Sequence, residues 1–232
     1  MCNQFKITFY KFRHCILFYL GILWMAGFGF YYGYVKLAPL NYNTYDTFAY
    51  TINDTSLIFI ISLVTAWFIG NDFSNRTIQH EITLGYSRFS ILLIRTLPVT
   101  LSAIIIHFTF VFTTMFAVIC KNGHTGDFLK SQDVFWCITV SLQLIGLQSI
   151  ITMITFISAK ATSAISIAVT FTIIACNVMR NFADNTVFTK TVFFFAKDNK
   201  SETLLSTSIV AVITLILSIT ITYLLFRKKE IK

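Results

Sequence analysis

Charged residues are absent from long parts of this chain, and that absence limits the folds open to it. Six stretches of 17 to 26 residues contain no Asp, Glu, Lys or Arg: 14–35, 55–71, 96–120, 134–159, 161–179 and 203–226. A helix rises about 1.5 Å per residue, so about 20 apolar residues cross a hydrocarbon layer of about 30 Å. The period-two alternation of a membrane barrel does not occur, and helices satisfy their own backbone amides in lipid. The sequence predicts an all-α integral membrane protein with six transmembrane helices, at approximately 15–35, 55–71, 92–119, 134–158, 161–179 and 204–226.

Composition excludes the soluble classes of protein. Of the 232 residues, 56% are hydrophobic and 12% are charged, whereas an ordinary globular domain carries about a quarter charged residues. Too few polar side chains remain to coat a water-soluble domain of this size, and the connections between the predicted spans are too short for a catalytic fold. We therefore expect residues 1–232 to form a single transmembrane domain.

The basic residues predict an orientation. With both termini in the cytoplasm, the inner segments hold 11 of the 18 Lys and Arg residues and three of the 10 Asp and Glu residues. The inner side then carries the whole net charge of +8, as expected when basic residues are retained in the cytoplasm. This asymmetry explains the charge without a nucleic-acid partner. The expected partner of the predicted spans is membrane lipid.

Two other patterns concern packing. Small residues lie four apart at Gly29 and Gly33 and again at Ala164 and Ala168, a spacing that lets two membrane helices approach closely. The connection before the last span contains the apolar run 192–196, which is too short to cross the membrane. This run is consistent with two structures, a re-entrant segment that enters the membrane and returns, or a loop packed on the helix bundle.

The most informative stretch is 68–91, which joins the second and third predicted spans. Asp72 or Ser74 suits the start of a helix, Ile78 and Ile82 share a helix face, and Gly85 suits its end. Ser87 is then a candidate cap for the following helix. The pattern predicts a short amphipathic helix on the cytoplasmic membrane surface. Docking into a groove on a soluble partner and a solvated helix without a partner are both open.

This stretch resembles the signature of bacterial ABC exporter permeases of the second type. In that family the second and third spans are joined by Phe, an acidic-Phe pair, Gly-Thr-Ile and a Gly-x-Ser-Arg turn before a later basic residue. The matching positions are Phe68, Asp72, Phe73, Thr77, Ile78, Gly85, Tyr86, Ser87, Arg88 and Arg95. Arg76 departs from the pattern, because Gly is common at that position.

The resemblance implies a transport subunit, not an enzyme. In the family two permease chains, identical or related, pair and bind two cytoplasmic ATPase subunits through short coupling helices. The phosphate-binding pattern G-x-x-x-x-G-K-[ST] is absent here, so ATP and Mg²⁺ are expected in the partner ATPase and no cofactor in this chain. The residues expected to couple to the ATPase, with Phe73 and Ile78 as buried anchors, are Asp72, Phe73, Arg76, Thr77, Ile78, Glu81 and Arg88.

Polar residues within the predicted spans raise a separate question. His107 is a functional candidate because ionisable groups are rare in membranes, and a hydrogen bond to a neighbouring helix is its alternative. Gln143, Gln148 and Asn177 either line a cargo path or join helices. The head group of Arg95 is expected to reach back to the inner surface. No metal site is expected, because the four histidines lack ligand spacing.

Together these features predict a permease that moves an amphipathic or peptide-like cargo out of a bacterial cell, for antimicrobial peptide export or self-immunity. A drug or lipid-linked glycan exporter uses the same scaffold, because a fold does not dictate its cargo. A secondary transporter would need carboxylates or broken helices at mid-membrane. A membrane immunity or anchor protein that acts by binding alone would need no ATPase partner.

Overall fold

The structure is a computed structural model that describes residues 2–54, 58–123, 131–181 and 201–228. Within these ranges the chain is almost entirely helical and contains no strand. The α-helices are α1 (Cys2–Arg13), α2 (Ile16–Tyr31), α3 (Thr44–Thr51), α4 (Ile58–Ser74), α5 (Thr77–Thr83), α6 (Arg88–Asn122), α7 (Ser131–Ser158), α8 (Ala161–Asn181) and α9 (Ser201–Lys228). A π-helix over Tyr32–Leu37 and a 3₁₀ turn over Ala38–Leu40 extend α2.

Several of these helices are suited to a membrane. Four are long and apolar enough to cross one, namely Ile16–Leu40, Arg88–Asn122, Asp133–Ser158 and Thr203–Lys228. Helices α4 and α5 together qualify as a fifth, although they are bent by 56° at the break between them. The apolar part of α8 is shorter and covers Ala161–Ala175. The described ranges therefore contain four or five helices whose length and composition suit a membrane span, which is consistent with a multi-pass helical membrane protein.

Some element boundaries differ from the sequence-based expectation. Helix α6 begins at Arg88, four residues before the predicted third span, and runs for 35 residues with Pro98 inside it. Helices α1 and α3 were not predicted. Helix α3 begins after Asn43, whose side-chain oxygen accepts a hydrogen bond from the Asp46 backbone N–H at 2.7 Å, the usual role of Asn at this position. The apolar run 192–196 lies outside the described residues.

The core forms where long helices pack along one another. Helix α7 packs along α9, α2 along α6, and α4 against α8. A Cβ atom on Gly29 would lie 2.9 Å from the carbonyl oxygen of Phe110, and one on Gly33 would lie 2.9 Å from the Cβ of Ala117. The expected close approach at these glycines is thus confirmed, and it is made against α6.

Candidate functional site

The connection between α4 and α6 does not begin as predicted. Helix α4 continues through Asp72 to Ser74, so neither residue caps the following helix. The residue before α5 is Arg76, with φ 56° in the left-handed region. Asp72 is unavailable as a cap because its carboxylate accepts a hydrogen bond from Arg95. The acidic-Phe pair therefore belongs to the last turn of α4.

The end of the connection agrees with the prediction. Gly85 has φ 86°, a conformation that glycine adopts without steric cost. The Gly85 N–H donates to the Ile82 carbonyl at 3.0 Å and the Tyr86 N–H donates to the Glu81 carbonyl at 3.1 Å, which is the Schellman pattern of a helix end. Helix α6 then starts with the Ser87 hydroxyl accepting from the backbone N–H three residues later, at 3.2 Å.

A buried ion-pair cluster fixes α5 to its neighbours. The Arg95 guanidinium donates from Nε to Asp72 Oδ2 at 2.8 Å and from Nη2 to Glu81 Oε1 at 2.9 Å. Its Nη1 lies 2.8 Å from Glu81 Oε2, and Arg95 is only 1% exposed. Lys11 Nζ, from α1, lies 3.5 Å from Asp72 Oδ1. These two cations and two carboxylates form a cluster with no net formal charge.

This cluster changes the expectation for Arg95. Its head group is buried against Asp72 and Glu81 rather than exposed at a surface. Two facts explain the difference. Because α6 begins at Arg88, Arg95 lies about two turns inside that helix. Two carboxylates also meet it there, and charge-assisted hydrogen bonds of a planar guanidinium to carboxylates are strong. Asp72 and Glu81, two of the predicted coupling residues, both bind Arg95 within this chain.

The two predicted anchors are buried within this chain. Ile78 is fully buried. The ring of Phe73 meets that of Phe156 edge-on at 5.3 Å and that of Phe226 at 6.3 Å. Aromatic pairs with these separations are favourable. Phe73 therefore joins α4 to α7 and α9, and both predicted anchors are buried within the chain itself.

Arg88 also has an internal role. Its guanidinium donates to the Arg227 carbonyl at 2.7 Å and to the Phe226 carbonyl, and its Cζ lies 5.6 Å from the centroid of the Phe226 ring. The last carbonyls of a helix lack partners within the helix, and cations stabilise that end. Arg88 thus caps α9 from the start of α6.

What remains exposed is the outer edge of the connection. We call it the coupling surface, and its residues are Arg76, His80, Thr83, Leu84 and Tyr86. Leu84 is 62% exposed and Tyr86 is 39% exposed. Of the seven predicted coupling residues, Arg76 is exposed, whereas Thr77, Glu81 and Arg88 are half-buried. The other three are buried. Sequence reasoning missed Leu84 and Tyr86 because the turn that exposes them depends on how α5 is fixed underneath.

The predicted cargo-path residues lie in the interior. His107 Nε2 donates to the Ile52 carbonyl at 3.2 Å, and the Gln148 amide donates to the Thr65 hydroxyl. Gln143 is fully buried, and the side chain of Asn177 lies outside the described residues. The structure thus shows hydrogen bonds that join helices at His107 and Gln148.

One open cavity lies beside the Phe156 and Phe226 rings that Phe73 contacts. It has a volume of about 280 Å³ between α7 and α9 and is lined by Phe156, Ile157, Thr222, Leu225, Phe226 and Lys228. Its lining is apolar apart from the Thr222 hydroxyl and the Lys228 ammonium. The predicted cargo-path residues do not line it.

Within the described ranges, His, Cys, Asp and Glu side chains do not come together in threes as a metal site requires. The chain matches no protein-family model, no curated protein and no solved structure. The functional argument therefore depends on the geometry of the α4–α5–α6 connection.

Proposed function

We propose that this chain is the transmembrane permease subunit of an ATP-driven ABC exporter in a bacterial cell membrane. It crosses the membrane six times with both termini in the cytoplasm, α8 being one of the six spans. It pairs with a second permease chain, identical or related, and two cytoplasmic ATPase subunits supply the energy. The cargo is amphipathic or peptide-like, as in antimicrobial peptide export or self-immunity.

The observation that carries the proposal is how α5 is held. This short helix lies between two long apolar helices and is bent away from α4 by 56°. Beneath it, Arg95 on α6 binds Glu81 on α5 and Asp72 on α4 at once. A push on α5 is therefore transmitted to two membrane helices through buried ion pairs, which are screened far less than exposed ones.

The coupling surface supplies the contact for an ATPase. Leu84 and Tyr86 are apolar groups exposed at a turn, and Arg76 and His80 stand beside them. An apolar centre with polar groups around it is the usual composition of a protein interface. In this proposal the coupling surface contacts the ATPase, while Asp72 and Glu81 connect α4 and α5 to Arg95 behind it.

The test is co-purification of the tagged chain from its native host, with the bound ATPase identified by mass spectrometry through its phosphate-binding loop. We compare wild type with Leu84→Asp, which places a charge at the centre of the coupling surface. Leu40→Asp is the matched control, because Leu40 is also exposed (67%) and lies outside the coupling surface, in the 3₁₀ turn that follows the C-terminal end of α2. We expect the ATPase with wild type and Leu40→Asp, and a loss of tenfold or more with Leu84→Asp.

The outcomes separate the alternatives. A well-folded wild-type chain that brings down no ATPase would exclude the exporter and favour an immunity or anchor protein that acts by binding alone. An ATPase retained equally by Leu84→Asp would show that the coupling surface is placed wrongly while the exporter stands. Cargo is then tested on the reconstituted complex, with stimulation of ATP hydrolysis by amphipathic peptides, drugs and lipid-linked glycans as the readout.

A further inference from the structure

Helix α1 carries charge of one sign. Its charged residues are Lys6, Lys11 and Arg13, and it contains no acidic residue. Only His14 and Cys15 separate it from α2, which begins an apolar span. A helix attached in this way to the end of a membrane span has to lie near the boundary between lipid and water.

One face of α1 is fixed against the protein. Thr8 and Phe12 are buried. The Phe12 ring meets that of Phe68 on α4 edge-on at 5.2 Å and that of Phe18 on α2 at 4.8 Å. Lys11 lies on the flank of this face, next to Asp72. These contacts set the rotation of α1 about its axis and therefore decide which residues face outward.

The outward face combines aromatic rings with cations. Phe5 and Phe9 are 40% and 41% exposed, and their rings stack at 5.6 Å. Arg13 and Lys6 are exposed as well. Successive residues of a helix are rotated by about 100° about its axis. Seen down the axis, Arg13 therefore lies about 40° from Phe9, and Lys6 lies about 60° from Phe9 on the same side. The two cations thus lie along one edge of the stacked phenylalanine pair.

We propose that α1 binds the surface of the membrane and selects anionic lipid. Phe5 and Phe9 enter the boundary between head groups and acyl chains, while Lys6 and Arg13 bind lipid phosphates. The match of charge favours this occupant, because every charge on the helix is positive. Amphipathic helices with basic and aromatic residues bind anionic membranes in this way. The inference does not depend on the exporter proposal and holds on either side of the membrane.

Hydrogen exchange on the full chain in lipid nanodiscs tests this proposal. One set of discs contains only phosphatidylcholine, and the other contains phosphatidylcholine with about one third phosphatidylglycerol. Each basic residue near an anionic surface adds about fivefold to binding. With Lys6 and Arg13 both contributing, we expect exchange over residues 2–13 to be about tenfold or more slower in the anionic discs. The difference should shrink at high salt, because exposed charges are screened.

Two variants show which residues are responsible. Lys6→Gln with Arg13→Gln should abolish the difference between the two kinds of disc. Lys160→Gln, which removes another exposed cation outside α1, should leave it unchanged. Exchange in α6 checks that each variant is folded. Equal protection of α1 in both discs for wild type would overturn the proposal, as would loss of the difference in Lys160→Gln. If the chain shows this lipid-dependent difference but binds no ATPase, the membrane-binding role of α1 stands and the exporter proposal is wrong.

Discussion

Arg95 and Glu81 are joined by a hydrogen bond from Nη2 to Oε1 at 2.9 Å and by an ion-pair contact between Nη1 and Oε2 at 2.8 Å. The same guanidinium holds Asp72 through Nε. One side chain of α6 thereby binds the last turn of α4 and the middle of α5. Arg95 thus connects three helices at this end of the bundle.

We expect Arg95→Gln to destabilise the protein strongly. The substitution removes the main partner of the buried Asp72 carboxylate and of the half-buried Glu81 carboxylate. Breaking a buried pair costs about 3–5 kcal/mol, and the partial exposure of Glu81 and the Lys11 contact to Asp72 place the expected cost at the lower end. Arg95→Lys should fall between wild type and Arg95→Gln, because an ammonium group cannot reproduce the two-pronged geometry. Thermal unfolding of the detergent-purified protein, followed by size-exclusion fluorescence, measures the effect.

Arg76→Gln is the control for that measurement. Arg76 lies in the same connection but is exposed, so its replacement should change the free energy of unfolding by no more than about 0.5 kcal/mol. If Arg95→Gln unfolds at the wild-type temperature, the ion-pair cluster does not hold the three helices together. The mechanical part of the proposed function would then lose its basis.

Arg88→Gln should loosen the end of α9. Arg88 donates to the carbonyls of Phe226 and Arg227, and hydrogen bonds from a charged donor contribute about 1.5–3 kcal/mol. Their loss should speed hydrogen exchange over residues 224–228 by tenfold or more, with exchange in α2 unchanged. Arg76→Gln should leave both regions at the wild-type rate. If exchange at the end of α9 is as slow in Arg88→Gln as in wild type, Arg88 does not cap α9.

Two glycines of one helix form a matched pair for the packing of α2 on α6. An added Cβ at Gly29 would lie 2.9 Å from the Phe110 carbonyl oxygen, whereas one at Gly27 would meet nothing within 4 Å. Gly29→Ala should therefore cost about 1–3 kcal/mol through overpacking. Gly27→Ala should be neutral or slightly stabilising, because Ala favours a helix over Gly. Equal melting temperatures for the two variants would show that α2 does not pack closely on α6 at Gly29.

The sequence predicted the parts of this structure that depend on local pattern. Long charge-free stretches predicted helices suited to a membrane, and Gly85 and Ser87 predicted the end of α5 and the start of α6. Each signal is local, because a run of apolar residues or a single special residue is enough to produce it. Element α1 was missed because its mixture of aromatic, basic and polar residues lacks a long apolar run.

The site was harder to predict because its residues are brought together by tertiary packing. Asp72, Glu81 and Arg95 are separated by nine and fourteen positions, and no single helix period places them on one face. Whether Phe73 and Ile78 face a partner or the interior depends on where α7 and α9 lie. The motif identified the correct connection and did not reveal which of its side chains are buried.

The number of spans is the last prediction, and it concerns α8. Helix α9 is apolar enough to cross the membrane. If Lys160 before α8 and Arg227 at the end of α9 lie on the same side, the start of α9 lies on the other, and α8 has to cross. In a background with the five native cysteines replaced, we expect Lys160→Cys and Arg227→Cys to resist a membrane-impermeant maleimide in intact cells. Leu40→Cys should react there.

All three positions should react once the cells are permeabilised, which controls for access to the thiol. Leu40 is a suitable external marker because it is exposed and lies at the end of the span that begins at Ile16. Labelling of Lys160→Cys but not Arg227→Cys in intact cells would place the two ends on opposite sides. Helix α8 would then not cross the membrane, and the chain would have five spans. The two termini would lie on opposite sides, which contradicts the proposed cytoplasmic location of both. Protection of both positions leaves α8, despite its shorter apolar part, as a membrane-spanning helix.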